Sequence, residues 1–174
     1  MADLNGKNIA IIATDGFEDS ELTSPKEAVE SAGATTKVVS TETGEIEGKK
    51  GAKVAVDATT ADASVDEFDA LILPGGTINA DTIRTDADAV ALVKAFKDAG
   101  KPIGVICHGG WILAEADVLK GVTLTSVANV KTDLANAGAN WVDEEVVVDS
   151  GFISSRTPDD LPAFNATLVE EFAK

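Results

Sequence analysis

The chain has 174 residues, and 44% of them are hydrophobic, which fits one globular domain, residues 1–174, with a substantial core. Its 14 basic and 30 acidic residues give a formal net charge of −16, with no basic run that could match a phosphate backbone. We therefore expect neither nucleic acid nor a membrane as a partner.

The sequence predicts neither a targeting segment nor a metal site. Residues 1–7 are polar, and the apolar run 9–13 is too short for the core of a signal peptide, so we expect a cytoplasmic protein. Cys107 and His108 are the single cysteine and the single histidine. They exclude an intramolecular disulfide and are too few for a zinc site, so we predict a free thiol with no metal and no cofactor.

Apolar runs alternate with helix-period segments, a pattern that predicts an α/β domain with a mostly parallel sheet. In the first half we predict strands at 8–14, 36–40 and 69–73, a hairpin within 45–56, and a helix that begins at Ser24 with a capping box and Pro25 and ends at Gly33. Pro74, Gly75 and Gly76 predict a loop after the strand at 69–73.

The second half continues the same alternation. We predict helices at 86–99, 111–116, 130–137 and 160–174, and strands at 103–106, 122–126, 145–149 and 152–155. Ligands of open α/β sheets collect where strands end. The segments that follow Thr14, Leu73 and Ile106 are therefore expected to meet at one edge of the sheet.

Cys107 is the candidate nucleophile because it follows a buried strand and precedes a helix. A thiol at such a turn lies near the positive end of the helix, which favours the thiolate and predicts a lowered pKa. Gly109 and Gly110 would let backbone N–H groups approach a developing oxyanion, or simply let strand and helix pack closely. His108 could serve as the base, or it could be a surface residue without a role.

Four carboxylates, at positions 15, 18, 19 and 21, follow the first strand at the same edge of the sheet. One of them, buried beside the sulfur, would have a raised pKa and could hydrogen-bond the thiolate as a neutral acid. The sequence alone does not say which.

Five spaced motifs carry a family resemblance: Asp-Gly-Phe-Glu-Asp-Ser-Glu-Leu at 15–22, Leu-Pro-Gly-Gly at 73–76, Ile-Cys-His-Gly at 106–109, Asn-Ala-Gly-Ala-Asn-Trp-Val-Asp at 136–143 and Ser-Ser-Arg-Thr-Pro-Asp-Asp-Leu at 154–161. Together they resemble the PfpI-type branch of the DJ-1/PfpI superfamily. The resemblance implies a flavodoxin-like α/β/α sandwich with Cys107 at a strained nucleophile elbow, and a homodimer or homohexamer.

The resemblance also assigns site residues. It implies that Glu18 hydrogen-bonds the Cys107 sulfur, that His108 is catalytic, and that Gly75 and Gly76 form the turn on the oxyanion side. Asp81 lies near the acidic residue that completes a triad from a neighbouring subunit in hexameric members. Gly110 and Val127 depart from the proline and the aromatic residue of many relatives, and Arg156 could serve a subunit contact or an anion.

The resemblance implies two enzymatic functions that the fold does not separate, of which carbonyl chemistry is our first choice, and we keep a non-enzymatic function as a third hypothesis. The first is chemistry on reactive carbonyls, either glutathione-independent conversion of methylglyoxal to lactate or protein deglycation. The second is an intracellular cysteine peptidase. The third is a redox sensor or holdase that responds to stress through oxidation of Cys107. Class I glutamine amidotransferases share the fold, but they need a histidine after the cysteine motif, and none follows His108.

Overall fold

The computed structural model describes residues 2–174. The strands are β1 (Asn8–Ile12), β2 (Thr35–Ser40), β3 (Glu45–Glu47), β4 (Lys53–Ala55), β5 (Ala58–Thr59), β6 (Ala70–Leu73), β7 (Ile103–Ile106), β8 (Thr123–Leu124), β9 (Asn140–Trp141), β10 (Val147–Asp149) and β11 (Phe152–Ser155). The helices are α1 (Asp19–Ser31), α2 (Thr77–Ile83), α3 (Ala87–Asp98), α4 (Trp111–Glu115), α5 (Lys131–Asn136) and α6 (Leu161–Phe172).

The main sheet has the order β10-β11-β7-β6-β1-β2-β5. Its neighbouring strands are parallel, except that β10 pairs antiparallel with β11. Among the five central strands the order along the sheet is second, first, third, fourth, fifth in the chain, which is the flavodoxin-like order. The predicted α/β sandwich is confirmed.

Two apolar layers cover the sheet because side chains alternate between its faces along each strand. Ile9 and Ile11 of β1 pack in one buried cluster with residues of α1 and α6. Ala10 and Ile12 belong to the opposite cluster, which includes residues of α3, α4 and α5. The carboxyl ends of β1, β6 and β7 are thereby held side by side between the two layers.

Most predicted elements are confirmed, including the hairpin, now β3 and β4, and the pair β10 and β11. The predicted start of the first helix is wrong. The helix α1 begins at Asp19, with acidic residues in its first turn that suit the positive end of a helix, and Pro25 lies inside it. The short helix α2 was not predicted, and β8 is shorter than predicted.

Among the described residues, no helix is both long enough and apolar enough to cross a bilayer.

Candidate active site

Cys107 lies at a sharp turn between β7 and α4. Its φ of 61° is in the left-handed region, which few residues other than glycine adopt, so the backbone is strained there. A one-turn 3-10 helix, Cys107–Gly110, follows at once. A Cβ at Gly109 would lie 2.7 Å from the Leu73 carbonyl oxygen, so the turn packs directly on the end of β6. The predicted nucleophile elbow is confirmed.

The carboxylate beside the sulfur belongs to Glu21. Its side chain is fully buried on the first turn of α1 and lies beside Cys107, since a Cβ at Gly75 would meet both Glu21 and the Cys107 Cβ atom. The Oε1 atom accepts a 3.0 Å hydrogen bond from the N–H of Gly75, and the Oε2 atom is buried without a hydrogen-bond partner. Burial, with the charge of nearby Glu18, raises the pKa of Glu21 to about 7.

Glu18, which the resemblance placed at the sulfur, is bound elsewhere. Its carboxylate forms ion pairs with Lys49 and with Lys50, the latter at 2.9 Å. These two ammonium groups hold the pKa of Glu18 below its usual value despite burial. The structure therefore corrects the assignment from Glu18 to Glu21, three residues further along the chain.

The Cys107 thiol has a raised pKa, so the predicted lowering is wrong. Burial has the largest effect, and the negative charge of Glu21 adds to it. A hydrogen bond from the backbone N–H of His108 opposes both effects without overcoming them. Above the pKa of Glu21, the carboxyl group is ionised while the thiol keeps its proton.

The imidazole of His108 contacts the sulfur from the other side. Nδ1 lies 3.3 Å from Cys107 Sγ, and Nε2 lies 3.4 Å from Thr77 Oγ1. Burial and the charge of Lys49 lower the pKa of His108, so the ring is neutral at neutral pH. Its edge-to-face contact with Trp111, at 5.4 Å between ring centres, fixes its orientation. Thr77 was missed because a loop was predicted where α2 begins.

Gly75 and Gly76 lie on the loop between β6 and α2, as predicted. The N–H of Gly75 is bonded to Glu21, so this group is not free to bind an oxyanion. Gly76, with φ of 92°, packs against the backbone of 16–18 with no room for a side chain. Its N–H has no partner among the described residues. An oxyanion role for Gly76 and Gly109 stays a prediction.

Asn79, buried in α2, holds this loop in place and was not predicted. Its Oδ1 accepts from the N–H of Thr14 at 2.7 Å. Its Nδ2 donates to the carbonyl oxygens of Pro74 at 3.3 Å and Gly75 at 3.0 Å. The side chain thus joins the segment after β1 to the loop after β6, which confirms that these segments meet at one edge of the sheet.

The other candidate residues lie away from the sulfur. Asp81 is exposed on α2 and lines an open groove of about 740 Å³ with Arg84 and Glu115. Arg156 is bound within the chain, to Asp160 and Asp143. A role of Arg156 at a subunit contact or an anion site stays a prediction.

Gly110 and Val127, the two residues that depart from the pattern of many relatives, lie near the elbow. A Cβ at Gly110 would lie 3.2 Å from Leu134, so α5 packs closely here. The Val127 N–H lies 3.5 Å from the Cys107 carbonyl oxygen. In residues 2–174, no three side chains of the metal-binding types converge.

The fold and the site define an α/β domain with a cysteine at a nucleophile elbow, flanked by a buried carboxyl group and a neutral imidazole. A model of the DJ-1/PfpI family matches residues 7–171. This chain belongs to the DJ-1/PfpI family.

Similar proteins agree with this assignment. An uncharacterised protein of Staphylococcus saprophyticus is 51% identical over 168 residues, which cover 95% of this chain and 97% of that protein. The Bacillus subtilis protein named "Putative cysteine protease YraA" is 46% identical over 160 residues, 91% of this chain and 94% of its own. A two-domain Anabaena variabilis protein with DJ-1/ThiJ/PfpI-like and ferritin-like domains superposes with a TM-score of 0.92 at 34% identity, covering 94% of this chain and 47% of that one.

Proposed function

We propose that the chain converts small 2-oxoaldehydes such as methylglyoxal into 2-hydroxy acids without glutathione, with Cys107 as the nucleophile. The supporting observation is that the sulfur lies between two proton-transfer groups suited to neutral pH. Glu21 has a pKa of about 7, and His108, 3.3 Å from the sulfur, is neutral. General acid and base catalysis is most effective when the pKa lies near the working pH.

The reaction begins with addition of sulfur to the aldehyde carbon. The thiol proton passes to Glu21, and the aldehyde oxygen takes up a proton to give a hemithioacetal. His108 then removes the proton from the hemithioacetal carbon, and a proton is returned to the adjacent carbon. The former aldehyde carbon becomes a thioester, and the former ketone becomes an alcohol. Water hydrolyses the thioester, which releases the 2-hydroxy acid and restores the thiol, so no external oxidant is needed.

The buried thiol fits this sequence. Because the raised pKa keeps the resting thiol protonated, it gives up its proton only as it attacks, and the receiving carboxylate of Glu21 lies beside it. A sensor that depends on an ionised, exposed thiol gains no support from this arrangement, since burial raises the pKa of Cys107.

The second candidate is a cysteine peptidase, favoured by the name of the Bacillus subtilis relative and its 46% identity. In this mechanism Cys107 would be acylated by a peptide carbonyl, and His108 would protonate the leaving amine. The ring nitrogens of His108 contact Cys107 and Thr77, with no carboxylate among its hydrogen-bond partners in residues 2–174. A peptidase would therefore need an acidic residue from another subunit, for which exposed Asp81 is the candidate.

Lactate production from methylglyoxal without glutathione tests the proposal, with casein cleavage measured in parallel. We expect lactate from the wild type and none from Cys107→Ala, with the circular dichroism of the two proteins unchanged. Casein cleavage without lactate, lost in Asp81→Asn, would replace the proposal with the peptidase.

A further inference from the structure

The β3–β4 hairpin places two lysines beside the start of α1, at the carboxylate of Glu18. Its turn is fixed to the start of α1 by backbone contacts. The N–H of Lys49 donates to the Phe17 carbonyl oxygen at 3.0 Å, and the N–H of Lys50 donates to Asp19 Oδ1 at 3.3 Å. The position of both lysine backbones is therefore set by the segment that also carries Glu21.

The two ammonium groups share one carboxylate, that of Glu18, which is 7% exposed. The carboxylate of Asp19 also lies at this turn, where it accepts from the N–H of Lys50 and of Ala52, so the two lysines balance two carboxylates. The side chains of Lys49 and Lys50 are 49% and 68% exposed, so both reach solvent. The turn is thus close to neutral, on a chain whose formal net charge is −16.

Lys49 is also close enough to the catalytic groups for its charge to act on them. The N–H of Glu18 donates to the Gly75 carbonyl oxygen at 3.2 Å, and the N–H of Gly75 holds Glu21. The ammonium group of Lys49 acts electrostatically on Glu21, Cys107 and His108 alike. A substrate bound to the sulfur would lie within the same field.

We propose that Lys49, assisted by Lys50, recognises a carboxylate on the substrate, so that the site prefers 2-oxoaldehydes that carry a carboxylate group over neutral ones. The substrate class rests on the proposed function. The preference of Cys107 for anionic over neutral reagents does not depend on it. The chain as a whole repels anions, and the half-exposed Lys49 ammonium group, whose charge acts on the catalytic groups, supplies the local attraction for an anionic substrate.

Alkylation of the single cysteine measures this preference without any enzymatic turnover. Iodoacetate is anionic and iodoacetamide is neutral, and each forms one bond to sulfur with loss of iodide. The ratio of their two rate constants cancels any change in thiol pKa that a mutation causes. We expect Lys49→Gln to lower the iodoacetate-to-iodoacetamide ratio about three- to tenfold, as removal of one nearby charge implies.

Two further variants test the same ratio, one as a control that should leave it unchanged and one that should raise it. Lys53→Gln removes the same charge from β4, where Lys53 lines a groove with Lys26 and Glu27 instead of facing the site, and it should leave the ratio within about twofold. Glu18→Gln should raise the ratio, because it removes the negative charge that offsets the lysines. Equal ratios in wild type and Lys49→Gln, or equal losses in Lys49→Gln and Lys53→Gln, would overturn the inference.

Turnover tests the substrate class. Conversion of 4,5-dioxopentanoate, which carries a carboxylate, to 2-hydroxyglutarate is compared with conversion of neutral methylglyoxal to lactate. Lys49→Gln should raise KM for 4,5-dioxopentanoate about three- to tenfold relative to KM for methylglyoxal, a comparison that cancels any effect of Lys49 on the catalytic groups common to both substrates. An equal change in both KM values overturns the specificity role. If the wild type turns over neither compound, the proposed function fails, and the alkylation ratio still decides the role of Lys49.

Discussion

Replacement of Glu21 by Gln isolates the charge of the carboxyl group beside Cys107. Gln keeps an Oε1 atom that can accept from the N–H of Gly75, as Glu21 does at 3.0 Å. The pKa of Glu21 is about 7 in the folded chain and 4.5 ordinarily, a difference that corresponds to about 3 kcal/mol. Glu21 is fully buried, so solvent does not screen this cost.

The raised pKa of Glu21 determines how the stability of the folded chain changes with pH. Well below 4.5, Glu21 is protonated in both the folded and the unfolded chain, so burial of the charge costs nothing. As the pH rises from 4.5 to about 7, the unfolded chain ionises Glu21 while the folded chain keeps it protonated, so stability falls, and the loss is complete above about 7. Glu21→Gln has no such loss, so its free energy of unfolding should rise relative to wild type by about 2 to 3 kcal/mol from pH ~5 to pH ~8.

Urea unfolding at these two pH values measures the difference, and all groups common to both proteins cancel. Glu18→Gln is the matched control with the opposite sign. The pKa of Glu18 is lowered, so its ion pairs stabilise the wild type at high pH, and that advantage is lost as the pH falls through the lowered value. A gap between Glu21→Gln and wild type that stays constant from pH ~5 to pH ~8 would refute the reasoning.

Three further substitutions test the surroundings of the site. Gly75→Ala puts a methyl group 2.8 Å from the Cys107 Cβ atom, so lactate production should fall about 100-fold while circular dichroism is unchanged; near-normal activity would contradict the packing. Asn79→Ala leaves buried backbone groups unpaired and should lower the free energy of unfolding by about 2 to 4 kcal/mol in urea, against about 0.5 or less for the exposed Asn136→Ala. Arg156→Gln removes the guanidinium group that lowers the pKa of Asp160. The variant should therefore have a lower free energy of unfolding than wild type, by an amount that shrinks as the pH falls through the pKa of Asp160; a difference independent of pH would contradict this.

The strand, turn and helix around Cys107 could be predicted because their signals are local. Four apolar residues before Cys107 indicate a buried strand, and the two glycines of the motif permit the close turn that the structure contains. The hairpin that carries Lys49 and Lys50 was predicted for a similar reason, since turn-forming residues separate two short strands.

The choice between Glu18 and Glu21 could not be made in this way. It depends on where α1 begins, and the predicted start at Ser24 is five residues too late, since α1 includes Pro25 in its interior. With the helix begun at Asp19, the buried positions Leu22, Pro25 and Val29 define its inner face, and Glu21 adjoins that face. Glu18 precedes the helix and lies under the hairpin lysines.

The pKa of Cys107 was predicted in the wrong direction because residues adjacent in the sequence indicate neither burial nor distant charges. The position before a helix favours the thiolate, but burial and the charge of Glu21, which lies far away in the sequence, outweigh it. Thr77 and Asn79 were missed because the paired glycines before them indicated a loop, whereas α2 begins directly after Gly76.

Intact-protein mass spectrometry during turnover tests the central claim most directly, because the claim is a covalent intermediate on a single sulfur. The protein is mixed with methylglyoxal, quenched in acid at short times, and compared with Cys107→Ala. We predict an adduct of one methylglyoxal mass on Cys107 that rises and decays as lactate appears, and that is absent from Cys107→Ala. Adducts that accumulate equally on both proteins, with equal lactate release, would contradict the account.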